Sequence, residues 1–317
     1  MKAAILKEIG TIPFYGEHAE PIVESNDQVL VKVKASSIKH LDLARASGKH
    51  YTTYDNLPAV VGMDGVAVLE NGQRIYAMGI TGMMAKKAIV QKDNWVIVPE
   101  GLDDCTAAAL PNFLVGSDAA LRLKGSIKVG DIILINGATG STGMMAVQMA
   151  KFHHAGFIIA TGRNPEVLEK LKELGADLII SLNQPEEQVI NDFKEAYSTH
   201  PFDIVVDYLW GRPSEMLLEA LSMLPSQKET KIITVGGMAG PAINLNSANL
   251  RSKNIVLMGS GIGSISKQEL SGYLLNSLPE IFEYAATGKL YVDLKIFPLE
   301  EVTNAWSLNE SGIVIKI

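Results

Sequence analysis

The spacing of apolar positions changes about a third of the way along the chain. Up to about residue 110 they fall in short β-like runs, Lys2–Leu6, Gln28–Ala35, Val66–Leu69, Gln73–Ala77, Lys87–Gln91 and Trp95–Val98. Turn residues part these runs, as in Glu70-Asn71-Gly72-Gln73 and Val98-Pro99-Glu100-Gly101. Helix signals are few, apart from Asp103 or Asp104 as the cap of a helix starting near Thr106. The pattern predicts a mainly β, barrel-like domain.

From about residue 130 the runs become nearly continuous: Ile132–Ile135, Phe157–Ala160, Leu178–Ile180, Ile204–Val206, Ile232–Val235 and Ile255–Met258. Most are rich in Ile and Val, as strands buried on both faces are. Helix-like segments separate the first several: Thr142–Phe152, Glu166–Leu174 with Gly175 as its stop, Glu186–Tyr197 and Pro213–Leu224. Alternating strand and helix implies right-handed crossovers and a parallel sheet, and six strands match the doubly wound dinucleotide-binding arrangement. The final stretch predicts a helix over Gln268–Ala286, then Lys295–Phe297, Val302–Trp306 and a terminal strand Gly312–Ile317. That strand needs a partner, and the simplest is the N-terminal β domain. The expected fold is therefore α/β, with a Rossmann-type domain (115–262) inserted into a discontinuous outer domain (1–114 plus 263–317).

A length of 317 residues agrees with two domains, and 47% hydrophobic residues supply ample core. The balance of 28 Lys+Arg against 35 Asp+Glu, a net −7, repels phosphate backbones and argues against a nucleic-acid partner. One cysteine, Cys105, allows no intrachain disulfide and no thiolate zinc cluster. Lys7 and Glu8 cut the first apolar run short of a signal sequence, and no run reaches membrane-spanning length. A cytoplasmic enzyme without a membrane partner is the expectation.

The sharpest local chemistry is Asp131-Ile-Ile-Leu-Ile-Asn-Gly137-Ala138-Thr139-Gly140-Ser141-Thr142-Gly143. Here a strand runs into three glycines at three-residue spacing and a helix follows. Gly137 permits the tight turn, Gly140 lets backbone approach a pyrophosphate, and Gly143 lets helix and strand pack closely. The N–H groups that open the helix then face the anion. Alone, three glycines are a weak signal; placed between a strand and a helix at the start of an alternating segment, they point to dinucleotide binding. The second strand ends Ala160-Thr161-Gly162-Arg163-Asn164 and carries no acid for a ribose 2′-hydroxyl. Arg163 can pair with a 2′-phosphate, with Thr161 and Asn164 as further donors, which favours NADP over NAD. The alternative is that Arg163 is a solvated loop charge.

Together these landmarks resemble the zinc-free quinone oxidoreductase (zeta-crystallin-like) branch of the medium-chain dehydrogenases/reductases. They run in order over nearly the whole chain: Val31-Lys-Val-Lys-Ala35, Leu41-Asp-Leu-Ala-Arg-Ala-Ser-Gly48, Leu57-Pro58, Gly62-Met-Asp-Gly65, Gly72-Gln-Arg-Ile-Tyr-Ala77, Ala107-Ala-Ala-Leu-Pro111, Lys128-Val-Gly-Asp131, the glycine loop, Leu174-Gly-Ala-Asp177 and Gly312-Ile-Val-Ile315. The resemblance implies a GroES-like β-barrel-type catalytic domain around an inserted Rossmann domain. It also implies hydride transfer from NADPH to a quinone or an α,β-unsaturated carbonyl compound, and a homodimer. Val235-Gly236-Gly237 would pass beside the nicotinamide, with Gly259 and Ser260 ending the sixth strand.

At the three positions where zinc-bearing members of the wider superfamily place ligands, this chain has Lys39, Met63 and Asn112, and no metal is expected. Lys39 stands where the branch usually has asparagine. It could stabilise a developing oxyanion, or simply face solvent or pair with Asp42. Tyr51 is a candidate hydrogen-bond or proton donor, and Asn112 a candidate pocket residue. Trp210 adds bulk near the expected nicotinamide pocket. Two other readings stay open: a zinc-free alcohol dehydrogenase or carbonyl reductase, for which no Ser-x-x-x-Lys or Tyr-x-x-x-Lys relay is evident, and a catalytically silent NADPH-binding sensor.

Overall fold

The computed structural model describes residues 1–50, 52–54, 56–308 and 310–317, with Ile262 by its backbone alone. The chain divides into two compact units, Met1–Asn112 with Leu270–Ile317, and Phe113–Glu269. The first contains β1 (Lys2–Leu6), β2 (Phe14–Glu17), β3 (Gln28–Ser37), β4 (Ala59–Val60), β5 (Asp64–Val68), β6 (Arg74–Gly79) and β7 (Lys87–Ile97). The second contains β8 (Ile132–Asn136), β9 (Phe157–Gly162), β10 (Leu178–Ser181), β11 (Ile204–Asp207), β12 (Thr230–Thr234) and β13 (Ile255–Gly259). Back in the first unit come β14 (Lys295–Pro298) and β15 (Ile313–Lys316).

In the first unit β3, β5, β6 and β7 pair antiparallel in turn, and β7 also pairs with β3, closing a barrel. β3 alternates buried Val31, Val33 and Ala35 with exposed Lys32 and Lys34, the period-two pattern of a strand with one face on a core. Val31 and Val33 meet Ala67, Ile75, Ala77, Met83, Ala88 and Val90 inside. The terminal strand β15 pairs antiparallel with β3, as the sequence led us to expect, and parallel with β14. β2, β1 and β4 form a separate sheet.

Two expectations for this unit need correction. Residues 87–98 hold one strand, not two; the polar Lys92-Asp93-Asn94 stretch reads as a break, but Asp93 accommodates it with a φ of 61° inside β7. The helix expected over 268–286 is two, Lys267–Asn276 and Leu278–Ala286. Pro279 cannot continue the hydrogen-bond ladder from the first and instead sits in the opening turn of the second.

The second unit is a six-stranded parallel sheet in the order β10-β9-β8-β11-β12-β13. Its central strands are mostly apolar, with Ile133, Leu134, Ile135, Val205, Val206 and Ile233 fully buried. Helices Ser141–Phe152, Pro165–Leu174, Glu186–Thr199 and Gly211–Ser222 alternate with the strands. Strand order reverses between β8 and β11, and ligands of such sheets bind outside the carboxyl ends at that switch point. No helix among the described residues is long and apolar enough to cross a membrane.

Candidate functional site

The glycine loop leaves β8 at that switch point. Gly137 has φ +91°, open to glycine and unfavourable for other residues. A Cβ on Gly143 would lie 2.6 Å from the Gly137 carbonyl oxygen, so only glycine lets the helix sit this close to the turn. Gly140 differs from both. Its φ of −88° suits any residue, and a Cβ there would meet nothing within 4 Å. It also begins helix Ser141–Phe152 without a side-chain cap bond. The loop therefore offers open space before a helix N-terminus, a shape that fits a pyrophosphate.

Around it lie the other candidate cofactor residues of this unit. Arg163 is exposed, one residue past β9, where a 2′-phosphate could be met. Thr161 is a correction, whereas Asn164 is exposed and keeps its amide as a donor. The Thr161 hydroxyl is fully buried, donates to Asn136 Oδ1 at 2.8 Å and accepts the Gly137 N–H at 3.0 Å, so it braces the loop from within. Asn164 Oδ1 accepts the N–H groups of Glu166 (3.0 Å) and Val167 (3.2 Å), which caps helix Pro165–Leu174. A Cβ on Gly162 would lie 2.2 Å from Thr139 Cγ2, so strand end and loop are in close contact. Ala138 donates its N–H to the Thr161 carbonyl at 2.7 Å. At the same carboxyl edge, Val235 and Gly236 donate N–H bonds to the Asp207 carbonyl at 2.7 and 3.3 Å. Gly237 is exposed beside Met238, and Gly259 faces open space. Ser260 is buried, and its hydroxyl has no partner among the described residues.

Three polar residues that the sequence reading passed over join this edge: Asn136, Asp207 and Ser214. Asp207 is fully buried, and burial raises its carboxyl above the ordinary aspartate range, opposed by bonds from Ser214, Leu209, Trp210 and Asn136. The available signal was that Asn136 and Asp207 are each the single polar residue closing an apolar strand.

In the other unit, the Lys39 ammonium is buried and paired with Asp64, while its backbone N–H donates to Asp42 Oδ2 at 3.1 Å. The expectation that Lys39 pairs with Asp42 thus holds for the main chain alone. Asp42 is fully buried, and burial pushes its carboxyl up to about 6; Lys39 opposes the rise and Asp64 adds to it. Burial and a hydrogen bond to Asp64 likewise push the Tyr76 hydroxyl upward. Asn112 is half-buried in helix Asp104–Val115, and Tyr51 lies outside the described residues. A cavity of about 480 Å³ in this unit is lined by Arg45, Tyr54, Pro58, Met63, Met78 and Ile80 among others. The Arg45 guanidinium stacks over the Tyr54 ring at 4.6 Å.

Lys39, Met63 and Asn112 do not fit a catalytic zinc. An ammonium already paired with a carboxylate repels the ion, and the set contains neither thiolate nor imidazole. Among the described residues there is no group of three or more His, Cys, Asp or Glu side chains able to hold a metal.

Comparison with known proteins places these features in context. Residues 141–278 match the family model described as zinc-binding dehydrogenase. An NADPH-dependent alkenal/one oxidoreductase of Arabidopsis thaliana chloroplasts is 28% identical over 228 residues, which cover 65% of this chain and 57% of that protein. Quinone oxidoreductase-like protein 2 of Bos taurus is 25% identical over 317 residues, covering 96% of this chain and 88% of the bovine one. The quinone oxidoreductase of Thermus thermophilus, whose structure was also solved with NADPH, superposes with a TM-score of 0.72. At 23% identity, with both chains covered in full, that likeness shows a shared fold.

Proposed function

We propose that the chain, which is similar in sequence and fold to quinone oxidoreductase-like medium-chain dehydrogenases/reductases, is an NADPH-dependent oxidoreductase acting on quinones or α,β-unsaturated carbonyl compounds. The observation that carries the proposal is the open space at Gly140, at the switch point of the parallel sheet and at the mouth of a helix. NADPH, when bound, supplies the hydride; the chain holds and orients it. Gly137–Gly143 would seat the pyrophosphate, and Arg163 the 2′-phosphate. Val235–Gly237, Gly259 and Ser260 would flank the nicotinamide half.

The first unit would take the acceptor. Its cavity of about 480 Å³ has the size of a small-molecule pocket and a mixed lining, with Arg45, Tyr54 and Met63 in its wall but not Lys39 or Asn112. The reaction places negative charge on the acceptor oxygen, and Lys39 is the candidate donor there, with Asn112 and Tyr51 as further candidates. The donor set at Lys39, Met63 and Asn112 supports activity independent of zinc. The half-buried apolar edge strand β13 supports a homodimer formed by strand addition, and the lack of a membrane-spanning helix among the described residues is compatible with a cytoplasmic location.

The test is a fluorescence titration of chelator-treated protein with NADPH and NADH, followed by turnover with quinone and enone acceptors. Tighter NADPH binding and metal-independent turnover are expected. NADPH binding without turnover across the panel would instead make the protein a cofactor sensor, and binding of neither nucleotide would overturn the oxidoreductase reading.

A further inference from the structure

The buried carboxylate at the end of β11 is connected in a way that packing alone does not require. Asp207 Oδ1 accepts three donors: Asn136 Nδ2 at 3.0 Å, the Leu209 N–H at 3.0 Å and the Trp210 N–H at 3.2 Å. Oδ2 accepts the Ser214 hydroxyl at 2.5 Å. From Asn136 the line continues through its own Oδ1 to the Thr161 hydroxyl, and from Thr161 Oγ1 to the N–H of Gly137. One unbroken series of hydrogen bonds thus runs from helix Gly211–Ser222, across the ends of β11, β8 and β9, into the first glycine of the loop.

The second branch fixes the turn opposite that loop. Trp210 has φ 53° with ψ −157°, a backbone region that residues other than glycine rarely adopt, and the Asp207 carboxylate holds its N–H there. The Leu209 side chain abuts the loop, since a Cβ on Gly137 would lie 2.7 Å from Leu209 Cγ. The carbonyls of Tyr208 and Leu209 accept the N–H groups of Met238 (3.2 Å) and Ala239 (2.8 Å), so the segment after β12 hangs on the same turn. A single carboxylate therefore governs both sides of the carboxyl edge at the switch point.

We propose that Asp207 is a positioning residue for the dinucleotide, setting the glycine loop through Asn136 and Thr161 and the facing turn through the backbone of Leu209 and Trp210. The proposal rests on the NADPH reading above. Asparagine at this position keeps an oxygen for the three Oδ1 donors and presents an amide to Ser214, whose hydroxyl can rotate to accept. It thus removes the charge assistance with little change of shape. Alanine removes the hub altogether.

The experiment uses the full chain with Asp207→Asn, Asp207→Ala, Thr161→Val and the Asp207→Asn/Thr161→Val double variant. It measures the NADPH Kd by nicotinamide fluorescence, KM for NADPH and for the acceptor, and the melting temperature without ligand. Asp207→Asn is expected to raise Kd and KM for NADPH at least about tenfold, with the acceptor KM within about twofold, because a supporting group that loosens misplaces the groups it holds. Thr161→Val should do likewise, and the double variant should be no worse than the poorer single one, as expected of two members of one line. An unchanged NADPH Kd with a lowered melting temperature would reduce Asp207 to a stabilising role and overturn the proposal. Losses that multiply in the double variant would refute the single line. Failure of the parent protein to bind NADPH would instead remove the functional reading itself, and this is visible before any variant is made. Should Asp207→Ala fail to fold, the asparagine and valine variants decide.

Discussion

Asp42 gives the most direct test of the electrostatics around Lys39. Its carboxyl is fully buried, and burial raises it from 3.8 to about 6. Two units at ~1.36 kcal/mol each amount to on the order of 3 kcal/mol of differential stability. The sign follows from the order of ionisation. Below 3.8 the carboxyl is neutral in both folded and unfolded chains, and its full contribution to stability is present. As pH rises toward 6 the unfolded chain releases the proton first, so stability falls and the loss is complete once the folded form has ionised. Asp42→Asn cannot titrate, and it keeps an oxygen for the Lys39 N–H. The variant's stability relative to the parent should therefore climb by on the order of 3 kcal/mol between about pH 4 and pH 7. Urea unfolding followed by tryptophan fluorescence measures this. Trp95 and Trp306 share the unit that holds Asp42, and a Trp210→Phe background silences the indole of the other unit. Parallel pH profiles for variant and parent would refute the reasoning, because they would mean that Asp42 titrates alike folded and unfolded.

Further substitutions probe the proposed chemistry. Gly140→Val should cost the fold only about 1 kcal/mol, the loss of a favoured N-cap residue, since its backbone is ordinary and its Cβ meets nothing, yet abolish NADPH binding in a fluorescence titration; retained binding would remove the central claim. Gly143→Ala, by contrast, should cost the fold about 1–3 kcal/mol by thermal melting, because its Cβ would press on the Gly137 carbonyl. Arg163→Ala should weaken NADPH by about 1.5–3 kcal/mol and leave NADH unchanged, as loss of a charge-assisted bond would; equal losses in parallel titrations would make the arginine a bystander. Lys39→Met should destabilise by roughly 3–5 kcal/mol by leaving Asp64 buried and unpaired, and Lys39→Met/Asp64→Asn should recover most of it. Recovered stability without recovered turnover would mark the ammonium as catalytic; recovery of both would make the pair structural.

What the sequence made legible follows from how each element is buried. Strands covered on both faces are largely apolar, so the runs at Ile132, Phe157 and Ile204 announced β8, β9 and β11 nearly to the residue, and the run at Ile255 likewise announced the half-buried edge strand β13. The barrel was harder, because its strands show one apolar face only and Lys92-Asp93-Asn94 looks like a turn although it lies within β7. Helix His40–Ala46 escaped because its buried positions are Asp42 and Ala46, and an aspartate reads as surface. The pairing of Lys39 with Asp64 joins a helix start to a strand and leaves no periodic trace. At the dinucleotide edge the ambiguity is chemical. Thr161, Asn164, Asn136 and Asp207 are all polar residues where apolar runs stop, and residue type alone cannot say whether such a group faces a ligand or the chain. The direction of the hydrogen bonds answers this. Thr161 is turned inward onto the loop, whereas Arg163 and Asn164 are both exposed, Asn164 with only its Oδ1 engaged in the helix cap, so the Arg163 guanidinium and the Asn164 amide are the groups at that strand end placed to meet a phosphate. The polar residues that end the strands thus divide: those facing inward, Asn136, Thr161 and Asp207, brace the loop, and those facing outward, Arg163 and Asn164, are the candidates for contact with a nucleotide.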